Sequence, residues 1–198
     1  MNENENVSKK SPLITLETLK TAIILLLVTG ITVILLAVVN YVTKGPIAEL
    51  EKKELDNTIG EMFPNAEYVK VGDAELSAPT SELYAITENG EVTGFCVIAV
   101  PKGFGGDVKM LVGVDVDENV VGVKILADSE TATKVAPVKD AEYLKNQYAS
   151  KKAPFSFTKD GGNVDAVTSS TVSSKAVLDG VNSACDNVNS YIRKKGDK

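Results

Sequence analysis

Histidine is absent from the 198 residues of this chain, and the absence narrows its chemistry. A His-based nucleophilic triad, a mixed His-Cys zinc site and histidine-ligated haem are all excluded. Cysteine is scarce: Cys96 and Cys185 stand far apart, which excludes a Cys-x-x-Cys motif and leaves too few thiolates for an iron-sulfur cluster. Two buried free thiols are the simple reading, and a disulfide between them outside the cytoplasm is the alternative. No Gly-x-Gly-x-x-Gly fingerprint for a dinucleotide is present. Positive charge is also short. The net charge is −6, and the clearest basic run, Arg193-Lys194-Lys195, complements a helix C-terminus with Gly196 as its stop. Nucleic acid is therefore not expected as a partner.

What the chain does have is one long uncharged run, Thr21 to Thr43. At about 1.5 Å per residue it is long enough to cross roughly 30 Å of hydrocarbon. The competing reading is a cleaved secretory signal, whose apolar core is usually about 7–15 residues and is followed by a small-residue cleavage site. This run is longer and leads into Asn40, Tyr41 and Lys44 without such a site, so an uncleaved membrane-spanning helix is expected. Charge does not orient it, because Lys9, Lys10 and Lys20 on one side balance Lys44, Lys52 and Lys53 on the other.

After the span, Pro46 to Gly60 reads as a second helix with Ile47, Leu50, Leu55 and Ile59 as its apolar contacts. A short strand is expected near Tyr68 to Val71. Strands at 82–87 and 91–100 flank Asn89-Gly90, a strong hairpin signal. Two more follow at 108–116 and 120–126, and Gly94, Gly113 and Gly122 within the runs mark bulges or close approaches. A helix over 138–149 and a last one beginning near Thr171 complete the pattern. The class is α+β, with helices packed on an antiparallel sheet.

The segment Asp165-Ala-Val-Thr168-Ser169-Ser170-Thr171 feeds directly into that last helix, whose apolar residues Val177, Val181, Ala184, Cys185, Val188 and Ile192 share one face. Thr168, Ser169 or Ser170 can serve as N-cap, with Thr171 in the first turn. Unpaired N–H groups and the positive end of the helix dipole favour an anion there. A threonine in such a place can cap the helix, bind a phosphate or carry one covalently. Earlier in the chain, Gly103-Phe104-Gly105-Gly106 joins two strands. It is either a plain hairpin loop or a place where backbone approaches a flat ring that Phe104 partly covers.

Asp165, Thr168 and Thr171 resemble the Asp-x-x-Ser/Thr-Gly-Ala-Thr signature of FMN-binding domains, in which a flavin transferase esterifies the last threonine with FMN. Ser169 and Ser170 stand where the signature has Gly and Ala. Two families carry it: the G subunit of the Rnf complex and the C subunit of the sodium-translocating NADH:quinone oxidoreductase. The loop from Gly103 through Val114 is similar to the Gly-Tyr-Gly-Gly region of the Rnf protein. Glu130 and Thr131 resemble part of the family's His-x-Glu-Thr-Pro-Gly-Leu-Gly loop beside the flavin, with Asp128 in place of the His.

The resemblance implies a cytoplasmic segment at 1–20, a transmembrane helix at 21–43, a connecting helix and loop at 44–79 and an FMN-binding domain at 80–198. It places the domain on the extracytoplasmic side of the cell membrane. It implies FMN bound covalently to Thr171, with Asp165, Thr168, Ser169, Ser170, Gly103, Phe104, Gly105, Gly106, Glu130 and Thr131 around it. The function implied is an electron-transfer subunit of an ion-translocating ferredoxin:NAD oxidoreductase, with the other Rnf subunits, the lipid bilayer and a maturing flavin transferase as partners. The equivalent quinone-reductase subunit, or a membrane-tethered assembly module without flavin, are the alternatives. No metal site and no complete activity of the isolated chain are expected.

Overall fold

The computed structural model of the chain describes residues 16–72, 74–128 and 136–196. Two compact units meet between Glu51 and Lys52. The helix α1, Leu16–Met62, supplies residues to both. In the first unit every described residue is exposed, and the helix is long and apolar enough to cross a membrane. Within its apolar stretch the hydroxyls of Thr29, Thr32 and Thr43 each donate to the carbonyl four residues back at 2.8 Å. Hydrocarbon offers no other partner, so this internal pairing suits a lipid environment.

The expected break between a spanning helix and a second helix is not present, because α1 runs through Pro46 without interruption. Proline removes one backbone donor, and the helix formers that follow it, Ala48, Glu49 and Leu50 among them, continue the ladder.

The second unit is built on a five-stranded antiparallel sheet in the order β1-β2-β3-β4-β5, a meander throughout. The strands are β1 Glu67–Lys70, β2 Thr80–Glu88, β3 Glu91–Ala99, β4 Val108–Asp115 and β5 Val120–Asp128. Glu88 pairs with Glu91 across the first hairpin, and Asn89 and Gly90 both take positive φ (53° and 86°). That is the backbone a two-residue hairpin of matching twist requires. At the β4–β5 turn the Asp115 carboxylate accepts from the N–H groups of Asp117 (2.9 Å) and Asn119 (2.8 Å).

Alternation along the strands sends two sets of side chains to opposite faces. Leu83, Phe95, Val97, Met110, Val112, Val114 and Val123 enter the larger core. Two helices, α2 Ala141–Tyr148 and α3 Thr171–Gly196, close that core with Leu144, Tyr148, Val177, Val181 and Val188. Tyr84, Ile86, Cys96, Ile98 and Leu111 face the other way and pack with Ile59, Leu55, Met62 and Phe63.

The three strand glycines mark a close approach on this second face. Cys96 pairs with Gly113, and Gly113 with Gly122, so bare positions lie side by side. Phe63 and Met62 fill the space: an added Cβ would stand 2.7 Å from Phe63 Cε1 at Gly94, 3.0 Å from Met62 Sδ at Gly113 and 3.3 Å from Met62 Cε at Gly122. The end of α1 and strand β1 thus belong to the same compact unit as the sheet, a unit that begins at Lys52.

Cys96 and Cys185 are both free and buried, in the two different cores. The sheet lies between them, which rules out the disulfide. Burial pushes each thiol up to about 12. Two asparagines of α3 tie down the segments that cross it. Asn182 exchanges hydrogen bonds with the Phe155 backbone, 2.7 Å from its N–H and 2.9 Å to its carbonyl. Asn187, buried, accepts from the Ser77 N–H at 2.9 Å and donates to Thr80 Oγ1 at 2.9 Å.

Candidate functional site

Helix α3 begins where the hydroxyl-rich turn ends. The Ser174 N–H donates to the Ser170 carbonyl at 2.8 Å, making Ser170 the N-cap position and Thr171, Val172 and Ser173 the first turn. Their N–H groups have no carbonyl within the helix to take them. The turn before the helix is held by two further bonds: Ser170 N–H to the Val167 carbonyl (3.0 Å) and Val167 N–H to Ser174 Oγ (3.0 Å). Ser169 sits between them at φ 66°. This is left-handed backbone, which glycine reaches freely and serine only at a cost of roughly 1–2 kcal/mol. Ser169 stands where the resembled signature has Gly, the residue that meets this backbone without strain.

The Gly103–Gly106 loop closes on itself through a hydrogen bond from the Gly103 N–H to the Gly106 carbonyl at 2.8 Å, above a bridge between Lys102 and Asp107. This tight turn leaves Phe104 64% exposed, unusual for an aromatic ring in a chain with so few. Phe104 projects over the start of α3. With Ser169, Ser170, Thr171, Val172 and Ser173 it lines one cleft of about 270 Å³. The cleft therefore has a hydroxyl and N–H wall and an apolar wall made by Phe104 and the half-exposed Val172.

Of the residues expected at the site, Phe104, Ser169, Ser170 and Thr171 come together in this cleft. Gly103, Gly105 and Gly106 shape the loop but are not part of the lining. Thr168 is exposed just ahead of it. Glu130 and Thr131 lie outside the described residues. Asp165 is also outside the lining, and its role is to fix the approach to the turn: its carboxylate accepts from Thr158 Oγ1 (2.9 Å) and its N–H donates to Gln147 Oε1 (2.8 Å). Its carbonyl accepts from the Tyr143 hydroxyl at 2.7 Å. Burial, aided by the negative charge of Asp165, raises the Tyr143 pKa above its ordinary value against an opposing hydrogen bond with Ser174. The hydroxyl therefore stays protonated and available as a donor.

Thr158, Gln147 and Ser173 were not legible as site residues. Thr158 reaches Asp165 because residues 156–164 fold back, with the Gly162 N–H on the Phe157 carbonyl at 2.9 Å. A Cβ at Gly162 would collide with the Ser156 carbonyl, so only glycine closes that turn.

The donor set suits a phosphate ester, with N–H groups at a helix start, three lining serines and a threonine. One buried polar atom strengthens the fit: Ser173 is 1% exposed, and its Oγ has no hydrogen-bond partner. Among the described residues that line the cleft none is titratable, and an alcohol side chain is a weak nucleophile at neutral pH. Among the described residues no group of His, Cys, Asp or Glu is arranged to hold a metal ion.

Comparison with known proteins finds relatives along most of the chain. Residues 103–186 match the family model described as an FMN-binding domain, and residues 14–62 match the one described as the RnfG N-terminal region. The chain is 33% identical to the G subunit of the Na(+)-translocating ferredoxin:NAD(+) oxidoreductase complex of Acetobacterium woodii, over 82% of this chain and 87% of that protein. It is 28% identical to the G subunit of the ion-translocating oxidoreductase complex of Aliivibrio fischeri, over 85% and 90%. The G subunit of the proton-translocating ferredoxin:NAD(+) oxidoreductase complex of Clostridium ljungdahlii is 28% identical, over 80% and 84%.

Proposed function

The chain belongs to the G-subunit family of Rnf-type ion-translocating oxidoreductase complexes, and from that membership we propose that it carries FMN as a phosphoester of Thr171 and passes electrons within such a complex. The observation that carries this reading is the cleft in which Thr171, at the start of α3, faces Phe104 of the glycine loop. Bound there, the flavin supplies the redox chemistry, and the protein supplies position and surroundings.

The residues divide that work. The first-turn N–H groups and the serine hydroxyls receive the phosphate. Phe104 and Val172 offer apolar surface to the ring system. Asp165, tied to Thr158, Gln147 and Tyr143, holds the chain entering the turn. Attachment is assigned to another protein, since a threonine hydroxyl is a weak nucleophile at neutral pH and the described cleft residues offer it no base. A flavin transferase acting on FAD would join Thr171 Oγ1 to the FMN phosphorus, break the pyrophosphate bond, release AMP and take up the hydroxyl proton. The apolar part of α1 would tether the subunit in the membrane beside its partner subunits, with the flavin domain on the extracytoplasmic side. The related proteins' names divide between sodium and proton, so family membership does not select the ion.

The test is co-expression with a flavin transferase, denaturation, electrophoresis and inspection under ultraviolet light. Wild type should give a fluorescent band and Thr171→Ala a dark one. A dark wild type would leave a tethered assembly module as the better reading, and a fluorescent Thr171→Ala would move the attachment elsewhere.

A further inference from the structure

Ser173 is the residue of the cleft that no local interaction explains. It is the third residue of α3, where a capping side chain commonly reaches back to the N–H of the N-cap residue. Here that N–H, on Ser170, is already taken by the Val167 carbonyl at 3.0 Å. The neighbouring Ser174 hydroxyl is used as well, by the Val167 N–H at 3.0 Å. The threonines of α1 show the usual alternative, donating to a carbonyl one turn back, as Thr29 does to Leu25 at 2.8 Å. Ser173 Oγ makes neither bond, although the residue is 1% exposed. Thr58 Oγ1, Thr93 Oγ1, Tyr148 Oη and Asn189 Oδ1 are likewise buried and unpaired, but none of these residues lines this cleft.

A buried hydroxyl without a partner destabilises the protein that contains it, so its retention calls for a compensating role. Building on the proposed attachment at Thr171, we infer that Ser173 is a phosphate-positioning residue, whose Oγ–H donates to a non-bridging oxygen of the phosphoester. Hydrogen bonds to charged acceptors are stronger than neutral ones, so an anion in the cleft is a favourable acceptor for this donor. The proton stays on Ser173, and no bond other than the hydrogen bond forms. The unpaired hydroxyl of the unloaded chain thereby becomes part of the loaded site.

One substitution should then act in opposite directions on the unloaded and the loading chain. In the unloaded full-length chain, expressed without transferase, Ser173→Ala should melt at the wild-type temperature or above, as should Thr58→Val, which removes an unpaired hydroxyl remote from the cleft. With FAD and a limiting amount of transferase, Ser173→Ala should load about tenfold more slowly, the effect of losing one charge-assisted hydrogen bond. The phosphorus-31 resonance of the adduct that does form should move from its wild-type position, while Thr58→Val should match wild type in both. A lower melting temperature for unloaded Ser173→Ala would assign the hydroxyl a structural role and overturn the inference. So would wild-type loading with an unshifted resonance, which would leave the proposed attachment standing. A wild-type chain that takes up no flavin overturns both.

Discussion

Replacing Gly94 by alanine should destabilise the domain, although alanine in a strand is ordinarily the better residue by roughly 0.5–1 kcal/mol. The new methyl group would meet Phe63 Cε1 at 2.7 Å, Phe63 Cζ at 2.8 Å and the Val114 carbonyl oxygen at 2.8 Å. The ring can rotate away, but the carbonyl belongs to the sheet backbone. Overpacking of this kind costs about 1–3 kcal/mol, which leaves a net loss of up to about 2.5 kcal/mol once the alanine preference is subtracted, and the immovable carbonyl puts Gly94→Ala toward that upper end. For a domain of this size Tm should fall by up to roughly 10 °C in calorimetry of the detergent-solubilised chain. The same face provides a graded series. Gly113→Ala, at 3.0 Å from Met62 Sδ and 3.1 Å from Phe63 Cε2, should cost less. Gly122→Ala meets only the flexible Met62, nearest at 3.3 Å, and should be close to neutral. In a Phe63→Ala background the Gly94→Ala penalty should shrink by at least half, as expected for residues in contact. A rise in Tm for Gly94→Ala, or a penalty indifferent to Phe63, would refute the packing described for this face.

Three further outcomes are expected. Both thiols, pushed up to about 12 by burial, should resist alkylation at pH 8 in the folded chain and react fully in denaturant; rapid labelling of either in native conditions would contradict its burial. Tyr143→Phe removes the hydrogen bond to the Asp165 carbonyl and should lower stability by about 1 kcal/mol and slow flavin loading, read as Tm and as fluorescent yield per unit time. Lys70, with help from the Tyr84 hydroxyl, holds the Glu82 carboxyl below its usual value of 4.5. A lowered folded pKa stabilises the protein above that value, and the contribution is lost as pH falls through and below it. Acid melting curves should therefore be shallower for Glu82→Gln than for wild type, and identical curves would remove Glu82 from the account.

The parts of this molecule that could be read from sequence are those governed by local pattern. The uncharged run from Thr21 to Thr43, the Asn89-Gly90 hairpin and the apolar stripe after Thr171 each depend on residues within a few positions of one another. The strand glycines could be flagged as close approaches, but not that Met62 and Phe63 would fill them, since that contact joins distant stretches of chain. Asp165 illustrates the same limit. The resemblance places it around the flavin, but its bonds to Thr158, Gln147 and Tyr143, brought in by α2 and the fold-back at Gly162, could not be read from its position in the sequence. Pro46 misled because a sequence rule treats proline as a boundary, while the helix here loses one donor and continues. Ser169 conceals its demand for left-handed backbone behind an ordinary side chain.

The account depends most on the bond at Thr171. Intact and peptide-level mass spectrometry of the chain purified from its own membranes tests it directly. One adduct of FMN less water should be found, confined to the peptide that contains Thr171 and lost in Thr171→Ala. An unmodified Thr171 peptide from a chain assembled with its partner subunits would contradict the account.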